Sequence, residues 1–197
     1  MGKRICVFCA SSNRIAPQYI EAAAQFARLA VMQGHYLVCG GTSKGLMSAL
    51  IGAAVEAGGR IDGVVPKFMH DYGWTDRRLT QVTVVETMSE RKELLIKDSD
   101  AIVSLPGAMG TLEELTQAIS LKRLGLYHQP IIIFNQNRFY NSLLRFFDEM
   151  SAERMMAQEL NVWSVVDRVE DIIPAIDAQP PQNRDLLHYH DSENYGN

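Results

Sequence analysis

Seven short apolar runs, rich in β-branched residues and separated by stretches of helical character, narrow most sharply what this chain can become. They fall at residues 5–8, 36–39, 61–65, 82–85, 101–105, 131–134 and, more weakly, 162–166. Runs such as AIVSL and PIIIF are apolar at nearly every position. That pattern suits strands covered by helices on both faces, whereas a strand with one wet face alternates. Helices are expected between them. Residues 17–33 stop at Gly34, 46–57 at Gly58 and Gly59, and 111–124 at Gly125, each glycine placed as a C-terminal cap. Shorter helices are expected at 89–98, 140–150 and 169–177. The strand–helix rhythm predicts an α/β fold, a Rossmann-like doubly wound parallel sheet in a single domain. The 197 residues suffice for one core. The domain is expected to span residues 1–178. Residues 179–197, polar and led by two prolines, are expected to form a flexible tail in which His188 and His190 are poor ligand candidates.

Composition removes several classes of function. The 19 Lys and Arg residues are scattered among 23 acids, giving net charge -4, so there is no basic stripe to follow a phosphate backbone. A nucleic-acid partner is not expected. No apolar stretch approaches the roughly 18 residues of a membrane span, so no membrane partner is expected and a cytoplasmic location is. Three cysteines make no disulfide framework. Cys6 and Cys9 have C-x-x-C spacing, but on a strand they sit about 10 Å apart and point to opposite faces, as core thiols do.

In open sheets of this kind ligands sit beyond the carboxyl ends of the strands. Three loops there, residues 9–13, 40–45 and 106–110, are expected to line one cleft. CGGTSKGLM runs from strand to helix with Gly40 and Gly41 at the turn and Gly45 at the helix start. Free N–H groups at the positive end of a helix suit a phosphate. Leu46 replaces the lysine of a P-loop and Thr42 the middle glycine of a dinucleotide fingerprint, so a tight turn alone also explains the segment. SLPGAMGTLEEL repeats the arrangement with Pro106, Gly107 and Gly110. There Thr111 and Glu114 have capping-box spacing, which accounts for Glu114 but not for glycines on both sides of Met109. In SERKELL, Thr87 and Glu90 share that spacing, and Arg91 and Lys92 open a helix. Cations in a first turn oppose the helix dipole, and such a local cost hints at a task.

Together, V-x-G-G-x-x-x-G-L-M at 38–47, M-x-E-R-K at 88–92 and P-G-x-x-G-T-L-E-E at 106–114 resemble the LOG family. Its members are cytokinin riboside 5′-monophosphate phosphoribohydrolases, long mislabelled as possible lysine decarboxylases. The resemblance spans roughly residues 4–175. It implies a homodimer that cleaves the N-glycosidic bond of a nucleoside 5′-monophosphate, AMP or an N6-substituted AMP, to free base and ribose 5-phosphate. It implies no metal and no organic cofactor. Carried over by position, Arg91 and Glu114 resemble the catalytic pair, and Gly107, Gly110 and Thr111 the phosphate cradle. Met88 and Lys92 flank the substrate, and Gly41, Thr42, Gly45, Ala108 and Met109 complete its surroundings. A carboxylate such as Glu114 suits this chemistry, because loss of the base builds positive charge on the ribose.

Ala10, Thr42 and Ala108 stand where the family pattern has glycine, and Ser89 where it commonly has histidine. An added side chain matters where the backbone needs a positive φ or must touch the ligand. Those losses motivate a second reading, a nucleotide-binding module of the same fold without turnover. A lysine decarboxylase needs pyridoxal phosphate on a lysine, and no segment resembles that site. Residues 67–78, with Tyr72 and Trp74, match the pattern poorly; they either shape the base pocket or merely pack.

Overall fold

The structure, a computed structural model, describes residues 2–156 and 162–179. The expected tail lies, past Gln179, outside the described residues, as do His188 and His190. Among the described residues seven strands form one sheet: β1 (Arg4–Phe8), β2 (Tyr36–Cys39), β3 (Ile61–Pro66), β4 (Gln81–Val85), β5 (Ala101–Ser104), β6 (Ile131–Phe134) and β7 (Ser164–Val166). Every pairing is parallel, in the order β4-β3-β2-β1-β5-β6-β7. The order reverses between β1 and β5, and in a doubly wound sheet that reversal opens the ligand crevice.

The helices are α1 (Pro17–Met32), α2 (Gly45–Glu56), α3 (Lys67–Asp71), α4 (Met88–Ile96), α5 (Met109–Arg123), α6 (Asn141–Ala152) and α7 (Ile172–Ala178). Pro17 opens α1, where its missing N–H costs nothing. Gly34, at φ +78°, closes it: Gly34 N–H donates to Val31 O and His35 N–H to Ala30 O. Gly58 and Gly125 end α2 and α5 with the same pair of bonds.

The continuous apolar runs bury both faces. Along β1, Ile5, Val7 and Cys9 face one core, shared with α1, α2 and α7. Cys6 and Phe8 face the other, shared with α4, α5 and α6. Cys6 and Cys9 therefore point to opposite faces, and burial raises both thiols well above the usual range. No helix among the described residues is long and apolar enough to cross a membrane.

Several expectations change: α4 ends at Ile96, two residues before the expected limit, and β7 begins at Ser164, two residues after it. Helix α5 begins at Met109, two residues before the expected start. The first helix-forming residues are Met109 and Gly110, so Thr111 lies inside the first turn and cannot cap it. The five-residue α3 and a 3-10 turn at Gln136–Arg138 were not expected, being too short for any apolar period.

Candidate active site

Hydrogen bonds tie together the loops that follow β1, β2 and β5. Ala10 N–H donates to Pro106 O at 3.3 Å, Met47 N–H to Ala10 O at 3.4 Å, and Gly45 N–H to Asn13 Oδ1 at 3.0 Å. One edge of the sheet thus carries all three, beside the β1/β5 reversal.

The two glycine turns differ in what their amides do. In the loop after β2, Thr42 N–H meets Met47 Sδ at 3.2 Å, Ser43 N–H donates to Trp74 O at 2.9 Å, and Gly45 N–H is taken by Asn13. Gly41 and Gly45 have φ of +75° and +58°, so their glycines serve the turn itself. The start of α5 is different. Its N-cap residue, Ala108, offers no side-chain acceptor, and no acidic residue sits in the first turn. The first N–H groups of a helix have no intrahelical partner, so this end retains its capacity for an anion. Gly107 packs against Thr111, whose Oγ1 would lie 2.1 Å from a Cβ there, while a Cβ on Gly110 meets nothing within 4 Å. Gly107 is a packing requirement; Gly110 leaves open space beside the helix start.

Arg91 lies in the first turns of α4. The cap at Thr87 accepts from Glu90 N–H at 3.1 Å, but Glu90 reaches back to Glu86 N–H at 3.1 Å instead of to Thr87. The expected capping box is therefore half made. The two cations that oppose the helix dipole are each offset by a neighbouring glutamate of α5. Arg91 Nη1 donates to Glu114 Oε1 at 2.7 Å, and Lys92 Nζ to Glu113 Oε1 at 2.6 Å. Glu114 thus pairs across 23 residues of sequence with Arg91; it does not tie off its own helix.

Arg91 and Glu114 are both buried, at 7% and 6% exposure, so neither charge is dispersed into water. Burial raises the Glu114 carboxyl above the usual carboxylate range, and Arg91, with a bond and its charge, pulls it partly back. Arg91 Nε also donates to Val64 O at 3.2 Å, which fixes the guanidinium plane. Behind it stands Gly40: a Cβ there would lie 2.0 Å from Nη2. Only glycine lets the turn after β2 close on this arginine. Met88 and Met109 are both exposed, one at the start of each helix.

Gly40→Ala is expected to displace the guanidinium from Glu114, because its φ is not positive and steric overlap is the whole effect. Overpacking of this kind costs about 1–3 kcal/mol. A misplaced catalytic group costs roughly a hundredfold in rate. Gly110→Ala, a better helix former placed in open space, is expected to keep or raise the melting temperature, so any loss of turnover there reports contact with a ligand. Thermal melts and kcat/KM of both variants check this.

Ala10, Thr42 and Ala108 cause no backbone strain. Among the described residues, positive φ outside glycine occurs only at Asp98, Asn137, Arg138 and Arg154. Thr42 is buried, and its hydroxyl donates to Met47 Sδ at 3.3 Å. No group of three or more His, Cys, Asp or Glu residues able to hold a metal exists among the described residues.

The model of a family described as "Possible lysine decarboxylase" matches residues 47–176. A cytokinin riboside 5′-monophosphate phosphoribohydrolase of Arabidopsis thaliana is 38% identical over 184 residues, covering 89% of this chain and 84% of that protein. A probable enzyme of the same name from Oryza sativa subsp. japonica is 36% identical over 180 residues, covering 87% and 85%. The molybdenum cofactor carrier protein of Chlamydomonas reinhardtii superposes with a TM-score of 0.70 over 95% of this chain and 99% of that one. At 20% identity it shares the fold alone.

Proposed function

This chain belongs to the LOG family, and from that membership we propose that it hydrolyses the N-glycosidic bond of a nucleoside 5′-monophosphate, AMP or an N6-substituted AMP. The observation that carries the reading is the buried Arg91–Glu114 pair, set beside the uncapped start of α5 at the sheet's reversal point. The phosphate lies at that helix start, near Gly107, Ala108, Gly110 and Thr111, where partial positive charge is fixed in place before the ligand arrives. Arg91 holds Glu114 by Oε1, which leaves Oε2 to meet a ribose hydroxyl or a water. As the bond from C1′ to the base nitrogen lengthens, the base takes the electron pair and the ribose becomes cationic. Glu114 stabilises that cation and orients the water that closes on C1′. The base leaves with a proton, and ribose 5-phosphate remains.

Lys92 and Met88 flank the sugar, Met109 the outer side, and Gly41, Thr42 and Gly45 support the floor through Met47 and Asn13. A cytoplasmic homodimer belongs to the same reading. The three buried, unpaired thiols fit a reducing compartment. The older family description names a decarboxylase, but the relatives that match over most of this chain are named hydrolases. Ala10, Thr42 and Ala108 impose no strain, which removes one of the two motives for the non-catalytic alternative; the other, contact with the ligand, is read by the product assay.

Chromatography of products from a panel of nucleoside monophosphates tests the proposal. Free base and ribose 5-phosphate in equal amounts are expected from AMP or an N6-substituted AMP. Nucleotides bound but unchanged would favour the module without turnover.

A further inference from the structure

Residues 67–80, outside every motif of the family pattern, place two aromatic rings in the open at the ligand edge of the sheet. Tyr72 is 73% and Trp74 40% exposed, and neither belongs to the two cores. The rings stack with centroids 5.6 Å apart and planes 25° from parallel. The backbone beside them is tied down. Trp74 O accepts from Ser43 N–H at 2.9 Å and from Ser43 Oγ at 3.2 Å, and Trp74 N–H donates to Met69 O at 3.1 Å. Thr75 bridges to Thr42, and Asp76 N–H donates to Gly41 O at 2.9 Å. Lys44 Nζ lies over the indole, 5.4 Å from its centroid. Lys44 is the N-cap residue of α2, where a cation opposes the helix dipole, and the ring face offsets that cost.

Apart from Met69 in α3, these anchors lie on the turn whose Gly40 abuts the Arg91 guanidinium. Ser43, three residues on, is at most about 11 Å from Gly40. The aromatic pair is therefore carried on a segment bonded to the same glycine turn that packs on Arg91, at the ligand edge of the sheet. An aromatic surface exposed to water serves a planar apolar ligand, and the only such part of a nucleotide is its base.

We infer that the Tyr72–Trp74 stack is the platform against which the base of the nucleotide lies, and that it selects a purine over a pyrimidine. The inference rests on the hydrolase function proposed above. A purine presents two fused rings to the stack and a pyrimidine one, so the gain from stacking is larger for the purine.

Trp74→Ala and Trp74→Phe, assayed with AMP, CMP and ribose 5-phosphate, test it. In Trp74→Ala, kcat/KM for AMP is expected to fall roughly 5- to 150-fold, the range for losing one base–aromatic stack. The preference for AMP over CMP should shrink, and Trp74→Phe should restore much of both. Inhibition by ribose 5-phosphate, which lacks a base, should not change. An unchanged AMP preference overturns the inference, as does a parallel loss of ribose 5-phosphate inhibition, which marks a merely structural residue. A change of oligomeric state on gel filtration with unchanged kinetics would assign the rings to contact between copies and overturn it too. The chain has two tryptophans, so Trp163→Phe leaves Trp74 as the sole indole reporter. Quenching by AMP but not by ribose 5-phosphate is expected. If wild-type protein releases base from no nucleotide, the hydrolase reading alone fails. The platform then stands on quenching by AMP and falls without it.

Discussion

Glu114→Gln is expected to lower base release by roughly 10²–10³ in kcat, the scale for removing one preorganised electrostatic group, while the melting temperature moves only a few degrees. The substitution keeps volume and one acceptor oxygen for Arg91 but removes the charge that meets the ribose cation. Breaking a buried ion pair often costs 3–5 kcal/mol, because it strands the other charge. Two observations argue for less here. Arg91 keeps its bond to Val64 O. Burial also outweighs Arg91 at Glu114, leaving its carboxyl raised above the ordinary range, so the native state tolerates a neutral group there better than water does. A loss of about 1–2 kcal/mol corresponds to roughly 2–8 °C for a domain of this size. Turnover and melting temperature on the same preparation decide. Retained activity with a fallen melting temperature would make Glu114 structural.

The same shift sets a pH dependence. For an acid whose folded pKa is raised, stability is full below the unfolded value and declines as pH rises through the folded one. Wild-type protein therefore loses stability relative to Glu114→Gln as pH rises above about 4.5, the ordinary value for this carboxyl. Activity moves the other way. The ionised carboxylate is the working form, so base release falls on the acid side at a higher pH than an exposed glutamate would give.

Strands were legible because burial on two faces leaves nearly unbroken apolar runs. Residues 36–39 and 131–134 match their expected limits for that reason. Strand β4 at the sheet edge, with Val82 and Val84 partly exposed, gave a shorter signal and begins one residue earlier than expected. Glycine stops worked at α1, α2 and α5 because a left-handed residue ends a helix whatever surrounds it. Contacts between distant segments were beyond local reading. Spacing alone assigns Glu114 to a capping box, and only the packing of α4 on α5 brings Arg91 to it. Nor does sequence indicate that Asn13 consumes the amide of Gly45, or that Trp74 accepts from Ser43, since these are side-chain and loop contacts without periodicity. The glycine turn after β2 therefore looked like a second anion site, and the structure turns the amides of Thr42, Ser43 and Gly45 to protein acceptors. The role of Gly40 was equally invisible, being set by an arginine 51 positions later along the chain.

If the uncapped start of α5 holds the phosphate, AMP should be cleaved at least about a hundredfold more efficiently than adenosine. Charge-assisted hydrogen bonds contribute roughly 1.5–3 kcal/mol each, and losing two gives that factor. The phosphate does not react, yet its binding positions the ribose against Glu114, so removing it should lower kcat as well as raise KM. Helix α5 carries both ends of this argument. Its first turn, Met109 to Thr111, faces the anion, and Glu114 follows one turn later on the same helix. A phosphate seated at the helix start thus fixes the sugar at a set distance from the carboxylate, with no flexible loop between the two. The open space at Gly110 permits close approach, and Ala108, with φ of -94°, presents its amide without strain. Initial rates with AMP and adenosine under the same conditions provide the measurement. Comparable efficiencies for the two would show that the helix start is no phosphate cradle, and would leave Arg91 and Glu114 as the core of a site that recognises nucleosides by sugar and base alone.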